Sequence, residues 1–158
     1  MHKGGIYIFG IRFDIPNKYD QVLAQILEGL PVEDYIWTVE YDDIFVAPLI
    51  ENKGLFRRKK LTGKEFQQDI SSASYYVCFA KILAFLSEQD IQPIDTFSSF
   101  FQSKCKLILF FTDAVFVEIY SMDLTILNQL KGNAEKYGFQ HIEFIHEIGE
   151  KDLDLMGL

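Results

Sequence analysis

The stretch Cys105-Lys-Leu-Ile-Leu-Phe-Phe-Thr-Asp-Ala-Val-Phe-Val-Glu-Ile-Tyr120 decides how this chain of 158 residues folds. Two apolar runs, residues 106–111 and 115–120, flank a short turn at Thr112-Asp113-Ala114. The first run has no polar residue from Leu107 to Phe111, which is typical of a strand covered on both faces. The second run carries Glu118 among its apolar residues. We therefore predict a β-hairpin whose first strand is central in a sheet.

Hydrophobic periodicity predicts further elements on both sides of this hairpin. We expect helices where apolar residues recur every three or four positions, and strands where apolar and polar residues alternate. The predicted strands cover residues 6–15, 35–41, 44–47, 75–86 and 139–145, and the predicted helices cover 19–30, 63–71, 95–103 and 123–137. Residues 80–86 fit a helix as well as a strand, because a continuous apolar run has no distinguishing period.

Local signals define several element ends. Thr62-Gly63-Lys64-Glu65 matches a capping box, in which threonine and glutamate side chains bond backbone N–H groups at a helix start. Asp123 is a candidate N-cap for the last helix, and Gly138 is a candidate stop. Asp42-Asp43 is interpreted as a turn between the strands 35–41 and 44–47.

The resulting order, β-α-β-(β)-α-β-α-β-β-α-β, predicts a single α+β domain over residues 1–158. Because one strand pair is a hairpin and helices separate the other strands, we expect a mixed, mainly antiparallel sheet. The helices should pack predominantly on one face. Residues 146–158 are expected to form a flexible tail.

Composition limits the classes of function. Fifteen phenylalanines and eight tyrosines predict a folded chain, since such side chains bury enough area to offset chain entropy. A net charge of −8 disfavours nucleic acid as a partner, because phosphates are repelled. The sequence contains no apolar run long enough to cross a membrane and no signal-peptide pattern, so we expect a cytoplasmic protein that does not bind membranes.

Residues with catalytic or metal-binding chemistry are sparse. His141 and His146 are five apart, which sends them to opposite faces of a strand, so we predict no metal site. The pair Asp42-Asp43 lies in a predicted turn, and Asp152 and Asp154 lie in the predicted tail. We predict no catalytic residue and no cofactor.

The two cysteines, Cys78 and Cys105, both lie in apolar runs and are read as small reduced core residues. Lys104 and Lys106 bracket Cys105, but on a strand they point away from it. A hydrolase that uses an aspartate or Cys105 remains a third hypothesis, which requires an enclosed pocket with a perturbed acid.

The charge distribution is the strongest signal outside the core. From Asp20 to Glu51 the chain contains eight acids and no lysine or arginine, and residues 53–64 then supply six of the 15 cations. Such runs are commonly solvated surfaces in which a basic loop folds back onto acids. An acidic surface of this density also suits a basic partner, and a basic loop also suits an anion.

We therefore predict a non-enzymatic protein-binding module, immunity-like or adaptor-like, that binds a basic protein. Its predicted contacts are Glu33, Asp34, Trp37, Glu40, Asp42 and Asp43. The aromatic row Tyr35, Trp37 and Tyr41 also fits ordinary core packing. The alternative is a small-molecule or anion-binding protein that uses the basic loop 53–60 through Arg57, Arg58, Lys59 and Lys60. The oligomeric state is not indicated.

Several short motifs of this chain occur in the same order, and with similar spacing, as in a known family. They are Gly10-Ile11-Arg12-Phe13-Asp14-Ile15-Pro16-Asn17-Lys18-Tyr19, Tyr35-Ile36-Trp37, Tyr75-Tyr76, Thr96-Phe97, Ser103-Lys104-Cys105, Asn133-Ala134 and Gly138-Phe139. Over roughly residues 10 to 146 the chain resembles a family of small uncharacterised proteins of spore-forming Gram-positive bacteria, classed as a domain of unknown function. The resemblance implies a bacterial cytoplasmic protein and assigns no activity, cofactor or catalytic residue.

Overall fold

A computed structural model of the chain describes residues 2–3, 6–48 and 54–146, and a seven-stranded sheet organises them. The strands are β1 (His2–Lys3), β2 (Ile6–Tyr7), β3 (Gly10–Asp14), β4 (Ile36–Ala47), β5 (Lys60–Thr62), β6 (Ser74–Phe85), β7 (Leu107–Thr112), β8 (Phe116–Tyr120) and β9 (Gln140–Ile145). The helices are α1 (Val22–Ile26), α2 (Gly63–Ile70), α3 (Phe97–Gln102) and α4 (Leu124–Lys136), with 3-10 turns at Val32–Asp34 and Glu88–Asp90.

The predicted α+β class is confirmed. β1 pairs with β2, and the other strands follow the order β5-β4-β6-β7-β8-β3-β9. Every strand pair in the described ranges is antiparallel, so the sheet that we expected to be mixed contains no parallel pair there. The predicted tail lies outside the described residues from residue 147 onward. None of the helices in the described ranges has both the length and the apolarity to span a bilayer.

The hairpin predicted from residues 105–120 is confirmed as β7 and β8, which pair from Ile108–Tyr120 to Thr112–Phe116. β7 is the fourth of seven strands, and its residues 107–111 are all buried. Leu107, Leu109 and Phe111 enter one core, whereas Ile108 and Phe110 enter another. The uninterrupted apolar run thus reflects a strand with a core on each side.

Residues 80–85, for which helix and strand remained open, belong to β6. This strand pairs with β4 on one side and with β7 on the other. Ile82 and Ala84 enter the core that contains Leu109, and Leu83 and Phe85 enter the opposite core. A strand that is buried on both faces and paired on both edges needs apolar residues at nearly every position, which explains the ambiguous pattern.

The turn predicted at Asp42-Asp43 is wrong, because β4 continues through both residues to Ala47. β6 supplies a partner for each of them, Ala80 for Asp42 and Phe79 for Asp43. The pairing shifts register between residues 39 and 41 and again between 43 and 44. The first shift leaves Glu40 of β4 without an opposite residue on β6, and the second leaves Cys78 of β6 without one on β4. Such bulges change which face the flanking side chains of the bulged strand occupy.

The first helix is shorter than the predicted 19–30. It covers Val22–Ile26, because Asp20 instead forms an antiparallel bridge with Tyr75 and Gly29 adopts a positive φ of 79°. The capping box at α2 is confirmed: the amide of Glu65 donates to Thr62 Oγ1 over 3.2 Å, and the amide of Thr62 donates to the Glu65 carboxylate over 3.0 Å. Asp123 caps α4 as predicted, by accepting a bond from the Thr125 amide.

The helices lie predominantly on one face of the sheet, as predicted. We call this the first face; on it, α1, α2 and α4 contribute to one core with Trp37, Phe111 and other sheet residues. The opposite, second face carries a smaller core that includes α3, through Phe97 and Phe100, and the sheet residues Phe85 and Phe110. α3 is the one helix in the described ranges that contributes to this second core. Much of the second face therefore has no helix packed over it in those ranges.

We predict that Ala114→Gly stabilises the protein. Asp113 and Ala114 have φ values of 52° and 64°, a region that costs an L-residue about 1 kcal/mol and costs glycine little. Urea unfolding should therefore give a free energy of unfolding about 0.5–1 kcal/mol higher for the variant.

Gly138→Ala is the matched reverse change. Gly138 has a φ of 73°, and an added Cβ there would meet no atom within 4 Å, so its effect reports backbone strain alone. It should lower stability by about the same amount. A destabilising Ala114→Gly together with a neutral Gly138→Ala would contradict this account.

Candidate functional site

The structure separates the acids that the sequence analysis grouped into one surface. Glu33 and Asp34 are exposed in the 3-10 turn before β4, whereas Asp43 lies well inside that strand. Ile36 and Asp43 are seven residues apart on β4, which at about 3.3 Å per residue is roughly 23 Å. These acids therefore cannot contact one small site together.

Trp37 has no exposed surface with which to contact a partner. Its ring stacks on Phe66 with centroids 4.0 Å apart, and its indole N–H donates to the Val32 carbonyl over 3.0 Å. Tyr35 is also buried, with its ring 5.8 Å from that of Trp37. The structure therefore supports the core-packing interpretation of these two aromatics. Trp37 is too buried to contact a partner.

The four predicted anion contacts of the basic loop, residues 57–60, each have a carboxylate partner. Arg57 donates from Nη2 and Nε to Asp69 Oδ1 over 2.8 and 3.1 Å, and Lys59 reaches Asp42 over 2.6 Å. Arg58 pairs with Glu65, and Lys60 pairs with Glu88. The bond from Arg58, together with the backbone bond from Thr62, lowers the pKa of Glu65 to about 2. An anion would have to compete with an acid at all four predicted contacts.

A row of side chains across the second face forms a more coherent arrangement. Strand pairing aligns one residue from each of six neighbouring strands, in the order Tyr41, Lys81, Phe110, Glu118, Arg12 and Glu143. Side chains in such direct register are close enough to interact. Arg12 Nη1 accordingly pairs with Glu143 Oε1 over 3.2 Å.

Lys81 is the buried charged residue of this row, with 1 % of its surface exposed. Its ammonium donates to the Ile94 carbonyl over 2.6 Å and pairs with Glu40 over 2.8 Å, and Asp95 Oδ1 lies 3.7 Å away. Its Nζ also lies 5.6 Å from the centre of the Phe110 ring. The predicted contact Glu40 therefore has a defined structural role, which is to balance a buried positive charge.

The row divides the second face into two halves. On one side, which we call the covered half, Phe9, Phe97 and Phe100 cover the row Leu83, Ile108, Tyr120. On the other side lies what we call the open half. It includes every residue of the row except the buried Phe110. Its further members are Asp14, Glu40, Asp43, Phe45, Tyr76, Phe79 and Phe116. Strand alternation places Phe45 and Phe116 there, because their neighbours Ile44, Val46 and Val117 enter the first-face core.

Two aromatic side chains of the open half are widely exposed. Phe45 leaves 44 % of its surface accessible and Phe116 leaves 52 %. β4 and β8, which carry them, are three strand spacings apart, or roughly 14 Å. Phe79 and Tyr76, on β6, one of the two strands between them, are half-buried. The aromatics therefore follow the sheet across several strands.

The charges of the open half are mainly negative. It contains five carboxylates and two cations, and both cations are paired within it, Arg12 with Glu143 and Lys81 with Glu40. Of the other three acids, Asp14 lies 2.8 Å from His141 Nδ1, and Glu118 accepts a bond from Tyr120 over 3.2 Å. Asp43 is exposed. The surface thus combines exposed aromatic rings with excess negative charge.

Phe45 and Phe116 were not predicted as surface residues, because both lie in apolar strands. Glu118, two positions after Phe116, nevertheless indicates that this face of β8 reaches solvent. The bulge at Glu40 of β4 removed the corresponding signal for Phe45, because it breaks the alternation from Tyr35 to Phe45.

The geometry does not favour Cys105 as a nucleophile. It is buried, and its Sγ lies 3.2 Å from the Leu107 carbonyl and 3.5 Å from that of Ala84. Burial raises the pKa of Cys105 to about 12, and burial together with Asp43 raises the pKa of Cys78. In the described ranges, moreover, no three His, Cys, Asp or Glu side chains are grouped as a metal site would require.

We predict that Cys105 resists alkylation in the native protein. Its pKa of about 12 leaves roughly a thousandfold less thiolate at pH 8 than an ordinary cysteine has. In the variant Cys78→Ser, which leaves Cys105 as the one thiol of the sequence, iodoacetamide should label the protein only after denaturation. Rapid labelling of the native variant at pH 7 would contradict the account and revive the hydrolase hypothesis.

Comparison with known proteins gives a family and no activity. A family model described as "Protein of unknown function (DUF2691)" matches residues 8–154. "Uncharacterized protein YncE" of Bacillus subtilis strain 168 is 29 % identical over 138 residues, which cover 86 % of this chain and 90 % of that protein. No solved structure matches the chain. The resemblance inferred from the motifs is thereby confirmed, and the chain belongs to the DUF2691 family.

Proposed function

We propose that this protein is a non-enzymatic binding module that acts in the cytoplasm and holds a basic protein segment on the open half of the second face. The observation that carries this proposal is the exposure of Phe45 and Phe116 on a surface whose charge is mainly negative. Exposed apolar patches rimmed by polar groups commonly mark interaction sites.

The chemistry of this surface fits arginine and lysine side chains. A guanidinium stacks on an aromatic face and pairs with a carboxylate at the same time, which makes such combinations effective in recognition. Phe116 lies two residues from Glu118 on β8, and Phe45 lies two residues from Asp43 on β4, so each ring has an acid on the same face of its strand. Both cations of the open half are already paired with acids of this chain, and Asp43 is an exposed acid beside Phe45.

The proposed surface keeps part of the acidic surface predicted from the sequence. Asp43 is a contact, and Glu40 supports the surface through Lys81. Tyr41 and the exposed phenylalanines replace Trp37 as the aromatic component. Glu33, Asp34 and Asp42 are not part of it, since the first two lie before β4 and Asp42 pairs with Lys59 of the basic loop.

A display library of random peptides tests the proposal and requires no assumption about which protein the partner is. We expect the full-length protein to enrich peptides that carry several arginines or lysines. A synthetic copy of one enriched peptide should bind to Asp43→Lys/Glu118→Lys at least about tenfold more weakly than to the wild type, because like charges now face each other. Phe45→Ser/Phe116→Ser should also weaken binding, through lost stacking.

The matched control is Glu33→Lys/Asp34→Lys, which changes the net charge equally at exposed sites outside the open half. It should bind the peptide within about twofold of the wild type, apart from the long-range effect of net charge. Equal losses in both charge variants would overturn the proposal, and so would enrichment of acidic peptides. Sedimentation that shows a dimer dispersed by Phe45→Ser/Phe116→Ser would assign the surface to a second copy of this chain instead.

A further inference from the structure

A cleft of about 610 Å³ opens at the edge of the covered half, away from the open half. Leu86 lines it from the end of β6, Lys104 and Lys106 from the start of β7, and Met122 from the end of β8. Its volume lies in the range of about 300–1,000 Å³ that small-molecule sites occupy. It contains none of the residues in the proposed protein-binding surface.

Lys104 and Lys106 supply the positive charge of this cleft. Among the described side chains, most cations pair with a carboxylate within 4.0 Å, and these two lysines form no such pair. Lys104 is exposed and Lys106 is half-buried. Unlike the cations of residues 57–60, these ammonium groups can therefore meet a ligand without first losing an internal partner.

Two acids also line the cleft and limit the charge that it can accept. Asp123 Oδ1 accepts the Thr125 amide over 2.9 Å at the N-terminus of α4, and Asp90 lies in the 3-10 turn after β6. Two lysines beside two aspartates suit a head group with a single negative charge better than a polyphosphate, because a multiply charged ligand would be repelled by both acids.

An apolar groove of about 460 Å³ adjoins the cleft, since Met122 lines both. Its other lining residues are Tyr7, Phe9, Phe101 and His146. The Phe9 and Phe101 rings are 5.4 Å apart, and the Tyr7 hydroxyl donates to Met122 Sδ over 3.4 Å. An anionic end and an apolar end of a ligand can therefore be held in one continuous surface feature.

We propose that the cleft and groove together bind a free medium-chain carboxylate amphiphile, such as a fatty acid. Its carboxylate lies at Lys104 and Lys106, and its chain passes Met122 to contact Phe9 and Phe101. This assignment places the carboxylate at the two lysines of the cleft and the apolar chain in the groove that adjoins them. It is independent of the protein-binding proposal, which rests on the opposite half of the second face.

Titration calorimetry with sodium decanoate and dodecanoate below their micelle concentrations tests the site. We expect saturable binding that tightens about two- to fourfold for each added CH₂ until the groove is filled. Dodecyltrimethylammonium, which has the same chain with a cationic head, should bind at least about tenfold more weakly than dodecanoate, and acetate should not bind measurably.

Lys104→Gln/Lys106→Gln should reduce dodecanoate affinity about tenfold or more while the melting temperature stays near that of the wild type. The matched control, Lys64→Gln/Lys131→Gln, removes the same charge from two other lysines that form no ion pair among the described residues, and it should bind like the wild type. Equal losses in the two variants would overturn the proposal.

Three further results would also overturn it. These are a cationic amphiphile that binds as tightly as dodecanoate, the absence of binding by any probe, and cosedimentation with phosphatidylglycerol vesicles without binding of monomeric dodecanoate. The last outcome would identify the cleft as a membrane contact. None of them bears on the peptide experiment, so the two proposals fail separately.

Discussion

The buried ammonium of Lys81 is the interaction on which the second face depends. Removing a charge from water costs several kcal/mol, so the surrounding groups must compensate it. Glu40 on β4, together with the Ile94 carbonyl and Asp95 on the segment before α3, supplies this compensation. These contacts therefore connect β6, in the middle of the sheet, to residues 94–95, which precede α3. Lys81 lies at the border between the covered half and the open half.

The two faces of the sheet differ in how much of their apolar surface is covered by helices. The first face is covered by three helices, and Trp37, Phe66 and Phe111 are almost completely buried there. Among the described residues the second face has the single short helix α3, so its aromatic residues are buried near Phe100 and exposed near Phe116. Alternate residues of β7 enter the core on the first face and the core on the second face, which explains why its apolar run is unbroken. Both functional proposals lie on the second face because that is where cover is incomplete.

Sequence patterns predicted the elements whose causes are local. The capping box Thr62–Glu65, the N-cap Asp123 and the turn at Asp113 each depend on a few neighbouring residues, and all were recognised. The path of β4 was not, because the partners of Asp42 and Asp43 lie on β6, almost forty residues later in the chain. The pairing of Lys81 with the segment before α3 is likewise a tertiary contact without a local pattern.

The same distinction applies to the candidate sites. The sequence showed that acids and cations were segregated, but it could not show that Arg57, Arg58, Lys59 and Lys60 are neutralised by acids of the same chain. It also could not show that Phe45 is exposed, because that depends on the bulge in β4, whereas Glu118 gave a usable signal for Phe116. The family to which the chain belongs was recognisable from its motifs, since these are properties of the sequence itself.

The central claim is that the open half of the second face is accessible in the free protein. Hydroxyl-radical footprinting of the full chain at low concentration, read by mass spectrometry, measures this directly. The account predicts strong oxidation of Phe45 and Phe116 and little oxidation of Phe100 and Phe110, which are almost fully buried. Protection of Phe45 and Phe116 equal to that of Phe100 in the monomer would show that this surface is covered, and it would contradict the account.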